Sequence, residues 1–189
     1  MYEIQLFGPL EVRTRGVRLS GADFGGDAPR HILALLALRG KVRKAELAEL
    51  LWPGRPPAGH LTIMEGQLSL LCRRLTLGTD VGDSPITRSK DEFVLMADRV
   101  RVDVARFEEL VAAAAGRPAR SALRPLTAAA HLAARPLLED VTGPEWADRA
   151  RAHHRERLAA IRRKAAELTQ DVHGEARHAL FLRAAEFAA

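Results

Sequence analysis

The sequence predicts an α+β N-terminal part followed by an all-α C-terminal part, and three observations carry that prediction. Short stretches of alternating polarity crowd the first 20 residues. Three helical patterns and a second pair of short strands fill the span from Asp27 to Met96. From Val104 onward only helical periodicity remains.

Residues 3–7 and 10–14 read as strands around a Gly8-Pro9 turn, and Arg15-Gly16 turns the chain into a third strand, Val17-Arg18-Leu19. These make a small antiparallel sheet with one covered face. Ser20 to Asp27 is loop, and Asp27 is placed to cap the next helix, with Pro29 in a first turn that has no use for its missing N–H. Ile32, Leu33, Leu35, Leu36 and Leu38 leave that helix almost no polar face, so it is a core element ending at Gly40. A second helix runs from about Arg43 to Trp52, with Leu47, Leu50, Leu51 and Trp52 inward, and Pro53-Gly54 stops it. A third, from about Ala58 to Leu77, buries Met64, Leu68, Leu71 and Leu75 as one stripe. Residues 78–84 form a polar turn. Pro85 to Arg88 and Glu92 to Met96 form a hairpin tipped by Ser89-Lys90-Asp91, and Val100 to Val102 adds a strand.

Two helices joined by a short turn, with a basic end on the second and a hairpin after it, have the layout of a winged helix-turn-helix, expected over residues 1–101. Residues 102–189 are expected to form an all-α, TPR-like helical domain. Phe107, Leu110 and Val111 line a first helix, and Ser121 to Ala134 form a second. A loop carries Leu137 and Leu138, which Trp146 covers as it opens a long helix. A break at Gly174 leads into a last helix over residues 176–188. The array ends half a repeat short of what such domains prefer, as in a chain trimmed from a longer regulator or naturally truncated.

Composition sets the class. A 47% hydrophobic, 28% charged chain is globular, without a signal-peptide pattern or an apolar run of membrane-spanning length. One cysteine, Cys72, excludes an internal disulfide and fits a cytoplasmic protein. The net charge of +5 favours polyanions, yet it splits +2 and +3 between residues 1–100 and 101–189, so charge alone does not locate a nucleic-acid surface.

Ordered along the chain, several segments resemble the SARP group of transcription activators, an OmpR/PhoB-like winged helix joined to a bacterial transcriptional activation domain (BTAD). They are Leu6 to Val12, Arg30 with its leucine run, Leu47 to Pro57 with Trp52, and Ser69, Leu71 and Leu75. In the second half they are Val102-Asp103 through Phe107-Glu108, the Leu137 to Trp146 loop and Arg157-Leu158. The resemblance implies a regulator that binds repeats in promoter double-stranded DNA, as a homodimer or as side-by-side monomers, and contacts RNA polymerase or another protein through its helical domain. It places the third helix in the major groove and the hairpin wing on the minor groove or its phosphates. On the outward face Thr62, Gln67, Ser69, Arg73 and Arg74 are the candidates for DNA contact, because base edges need directional donors and acceptors and phosphates need cations. Arg43 and Lys44 are candidates at the start of the second helix, and Arg88 and Lys90 in the wing.

The chain departs from that pattern where DNA contact matters. The usual Ser-Arg-Leu-Arg is here Ser69-Leu70-Leu71-Cys72, Glu65 lies on the same face, Gly66 interrupts the helix, and Asp91-Glu92-Phe93 replaces the usual Gly-Tyr of the wing. An alternative reading follows: a winged-helix/BTAD interaction module whose DNA contacts have given way to a protein surface around Leu70, Cys72 and Glu65. Chemistry on a small molecule is not expected. His153-His154 with Glu156 lacks the partners of a metal site and reads as a solvated face. Gly25-Gly26-Asp27 lacks the ending of a phosphate loop, and no catalytic pair or cofactor motif is present. The arginines from Arg149 to Arg163, with Lys164 and interleaved Glu156 and Glu167, read as a salt-bridge-laced surface helix, or as a second polyanion contact.

Overall fold

The computed structural model describes residues 1–77 and 83–186, with residues 175–186 as helix backbone. Strands β1 (Tyr2–Gln5), β2 (Glu11–Thr14) and β3 (Val17–Ser20) form an antiparallel meander. Strand β7 (Val100–Val102) joins β1 in parallel, giving the order β3-β2-β1-β7 with Ile4 opposite both Val12 and Val102. Alternation buries Tyr2, Ile4, Val12 and Leu19 on one face. Glu11, also buried, is held by ion pairs with Arg18 and Arg13.

Helix α1 (Asp27–Arg39) follows a short 3-10 turn, and Ile32 to Leu36 are all but inaccessible to solvent. Gly26, not Asp27, is its N-cap, and Gly40 closes it at φ 75° by donating its N–H to the Leu36 carbonyl at 2.8 Å. Next comes a strand that the sequence pattern leaves unassigned, between a helix ending at Gly40 and one expected from about Arg43. β4 (Lys41–Arg43) pairs with β6 (Glu92–Leu95), which pairs with β5 (Ile86–Arg88), so the wing is a three-stranded sheet ordered β4-β6-β5. Three residues are too few to display a period, and only Val42 opposite Phe93 reveals the strand. Helix α2 is correspondingly short (Lys44–Leu51). Trp52, expected in the core, is only half-buried at its edge. Helix α3 (His60–Leu75) buries the anticipated stripe of Met64, Leu68, Leu71 and Leu75 and packs on α1, α2 and the 3-10 turn. Of the turn expected at residues 78–84, all but Asp83 and Ser84 lies outside the described residues.

The C-terminal part contains α4 (Asp103–Ala114), α5 (Ala119–Leu132) and α6 (Glu145–Glu186), with α5 packed against both neighbours. The break expected at Gly174 is absent: α6 runs through it as one helix of 42 residues, about 63 Å at 1.5 Å per residue. One exposed glycine costs a helix only about 1 kcal/mol, and a Cβ at Gly174 would meet nothing within 4 Å. The helical hairpins are therefore α4–α5 and α5–α6, not a pair split at that glycine.

One contiguous apolar cluster spans both parts, and the boundary expected at 101/102 falls inside β7. The seam is an interlock between Leu6–Leu10 and the loop before α6. Leu138 N–H donates to the Leu6 carbonyl, Gly8 N–H to Pro136 and Glu139 N–H to Gly8, at 2.7 to 2.9 Å. The Asp103 carboxylate accepts the N–H groups of Leu6 and Phe7 at 2.9 Å and of Val104 at 2.8 Å, while Asp140 accepts that of Leu10 at 2.9 Å. Burial raises the Asp103 pKa, and the backbone donors at Phe7, Leu6 and Val104 pull it back. Arg151 donates to the carbonyls of Leu138 and Val141 and fixes the loop on α6.

His154 corrects another expectation. His153 is exposed, but His154 is buried, its ring 4.7 Å from Phe7 and 4.8 Å from Phe107. His31 of α1 meets Trp146 edge-on at 5.7 Å. Both pKa values are lowered, first by burial.

Candidate nucleic-acid interface

Helix α3 has its inward stripe sealed, so the helical period fixes what points out. Thr62, Gly66, Ser69 and Arg73 fall on one outward row at spacings of four, three and four, with Glu65 on the flank toward the wing. Thr62, Gly66 and Arg73 are exposed and Ser69 is half-buried. Gly66, which costs helix stability, sits mid-row, and a Cβ added there would meet nothing within 4 Å, so the backbone is open to close approach. Gln67, Leu70 and Arg74 lie on the opposite flank; Gln67 is half-buried and Arg74 exposed.

Seven of the nine candidates fall into two groups, to which Thr62 and Gln67 do not belong. Lys44 at the start of α2, Ser69 on α3 and Arg88 at the end of β5 converge on Glu65. Lys44 Nζ is 2.6 Å from Glu65 Oε1, and Arg88 Nη1 is 3.7 Å from Oε2. Arg88 Nη1 also donates to Ser69 Oγ at 3.2 Å, and Ser69 Oγ donates to the Glu65 carbonyl one turn back at 2.8 Å. Lys44 is further held over the Phe93 ring, 5.1 Å from its centroid. The carboxylate expected to repel phosphates is thus already neutralised, and it ties α3, α2 and the hairpin together. Arg43, Arg73, Arg74 and Lys90 are exposed and make no ion pair among the described residues. The sequence presents Glu65 only as a repulsive charge, because its partners lie about 20 residues away on other elements.

The apolar patch expected around Leu70 and Cys72 is not there. Cys72 is 1% exposed, on the edge of the inward stripe. Leu70 is half-buried, its side chain filling the space where Gly25, at φ 91°, has no Cβ. The apolar side chains that α3 does expose are Leu61 and Ile63 in its first turn, at 49% and 40%.

On the long helix Arg149 pairs with Glu145, Arg151 with Asp148, Lys164 with Glu167, and Arg157 with Glu108 of α4, whereas Glu156, Arg155, Arg162 and Arg163 make no ion pair among the described residues. Among the described residues no helix is long and apolar enough to cross a membrane.

No known family profile matches the chain, and no curated protein matches it either. Among solved structures it is similar to EmbR of Mycobacterium tuberculosis, determined in complex with a low-affinity phosphopeptide. The TM-score is 0.73 at 22% identity over 98% of this chain and 50% of that one. The chain therefore spans half the length of EmbR, and what the two share is the fold.

Proposed function

We propose that the protein is a cytoplasmic transcription regulator of the SARP type, an activator that binds promoter DNA through α3 and the wing. The observation that carries this reading is the open row Thr62-Gly66-Ser69-Arg73. It stands on a helix braced from behind by α1 and flanked by the hairpin that carries Arg88 and Lys90, and Thr62, Gly66 and Arg73 are exposed. Thr62 and Ser69 supply directional hydroxyls, Gln67 an amide suited to adenine, and Arg73 a guanidinium suited to guanine or phosphate. Arg43, Arg74, Lys90, Lys44 and Arg88 are the phosphate contacts. The helical half docks RNA polymerase or another protein, and two copies occupy adjacent promoter repeats. The fold shared with EmbR supports this reading. Selection of bound duplexes from a random pool tests it, with anisotropy measured on the winner and on random DNA at moderate salt. Equal binding to both rejects sequence-specific recognition.

The exposed Leu61 and Ile63 favour a second reading, a protein-interaction module. Its contact surface is the first turn of α3 and not Leu70 and Cys72; a Cys72→Arg substitution would drive a guanidinium into the core.

A further inference from the structure

Lys44 and Arg88 come from two different elements, yet both aim at one point, and that point holds a carboxylate of the chain itself; Ser69 Oγ beside it accepts from Arg88 and donates to the Glu65 backbone carbonyl. Glu65 uses both oxygens there, one against an ammonium and one against a guanidinium. A phosphodiester presents the same chemistry, two anionic oxygens that a lysine and an arginine can share. We propose that Lys44 and Arg88, whose guanidinium Ser69 Oγ steadies, form a preassembled phosphate site which Glu65 fills in the free protein, so that Glu65 is an internal competitor of the DNA backbone. This inference rests on the DNA-binding reading for the source of the phosphate, but the site itself does not.

Three features of the geometry favour competition over a merely structural ion pair. Glu65 is about one-third exposed, so its carboxylate can swing out without opening the core. Lys44 is held from below by Phe93 and by its own N–H, which donates to the Asp91 carbonyl at 2.9 Å, so it stays in place when the carboxylate leaves. The site also adjoins the outward row, where a backbone phosphate would pass if α3 entered a groove. The consequence is a tax on nonspecific binding: random DNA must displace Glu65 to use two of the cations on this face, whereas a duplex that also satisfies Thr62, Gln67 and Arg73 does so with additional contacts.

The test uses the full chain, wild type and Glu65→Gln, in two measurements. The first is the thermal midpoint with added inorganic phosphate at constant ionic strength. In Glu65→Gln the emptied site takes the anion, and the midpoint rises by about 3–6 °C at ten times the Kd, while wild type moves by less than a third of that. The second is the salt dependence of binding to a random duplex. Freeing two cations steepens the slope of log K on log salt by about 1.8, at about 0.9 per phosphate. Adding Arg88→Gln takes back about half of that gain. Asp91→Asn, which removes one charge from the same face without releasing a cation, changes the slope by less than half as much as Glu65→Gln. Equal phosphate responses together with equal slopes overturn the proposal, and so does an Asp91→Asn effect as large as that of Glu65→Gln. If wild type and variant both fail to bind DNA while phosphate still stabilises only the variant, the anion site stands and the DNA-binding reading falls.

Discussion

Asp103 is the residue on which the joining of the two halves depends, and its replacement by alanine is the sharpest test of the interlock. Its carboxylate satisfies the N–H groups of Leu6 and Phe7, residues that are 0% and 3% exposed. Water cannot reach those donors once the acceptor is gone, and each buried donor left unpaired costs about 1–3 kcal/mol. Removing a buried, desolvated carboxyl returns part of that sum. The expected net loss for Asp103→Ala is about 2–4 kcal/mol, a large share of the roughly 5–15 kcal/mol typical of a folded domain. Asp103→Asn keeps one acceptor oxygen where Oδ2 now serves both Leu6 and Phe7, so its loss should be about half as large. Urea unfolding followed by tryptophan fluorescence and far-UV circular dichroism measures both variants, with Trp52 reporting from the winged-helix part and Trp146 from the seam. Both probes should shift to lower denaturant together. A loss below about 0.5 kcal/mol, the size of an ordinary surface substitution, would show that the amides find other partners and that Asp103 does not hold the seam.

Further expectations concern pH, packing and DNA contact. His31 and His154 have lowered pKa values in the fold, so between those values and about 6.5 the unfolded chain binds more protons. Stability is therefore complete above about pH 6.5 and is lost as the pH falls through that window. His154→Phe, which suits a ring between Phe7 and Phe107, should flatten the dependence of the urea midpoint between pH 7.5 and 5; an unchanged slope rejects the assignment. Gly25→Ala should destabilise by about 1–3 kcal/mol, from a positive φ and a Cβ only 2.7 Å from Leu70 Cδ2. Adding Leu70→Ala should recover the steric part and not the backbone part, and calorimetry on the single and double variants separates the two. Arg73→Ala with Arg74→Ala should make the salt slope of DNA binding shallower by up to about 1.8 without lowering the thermal midpoint. A normal slope in that variant would assign the end of α3 to solvent.

How much of this could be read from the chain depended on whether the signal was local. The unbroken apolar run of α1 and the four-residue stripe of α3 are properties of neighbours along a helix, and both stand where periodicity puts them. The wing hairpin was legible because Phe93-Val94-Leu95 is a short apolar run of strand-favouring residues in a segment flanked by turns. β4 was not, because a three-residue strand carries no period, and neither was the phase that buries Cys72, which sits at the margin of its stripe. His154 reads as a surface histidine for the same reason. The stretch around it is charged, and the two phenylalanines that enclose it lie some 50 and 150 residues earlier.

The order of patterns alone therefore determined that strands, three helices and a hairpin precede an all-helical half, since hydrophobic period and turn residues act over a few positions. Tertiary structure alone decided which charges remain free. The sequence places Lys44, Glu65 and Arg88 some 20 residues apart, and only the packing of α2, α3 and β5 brings an ammonium and a guanidinium to the two oxygens of one carboxylate. Coulomb attraction depends on distance in space, to which separation along the chain is no guide.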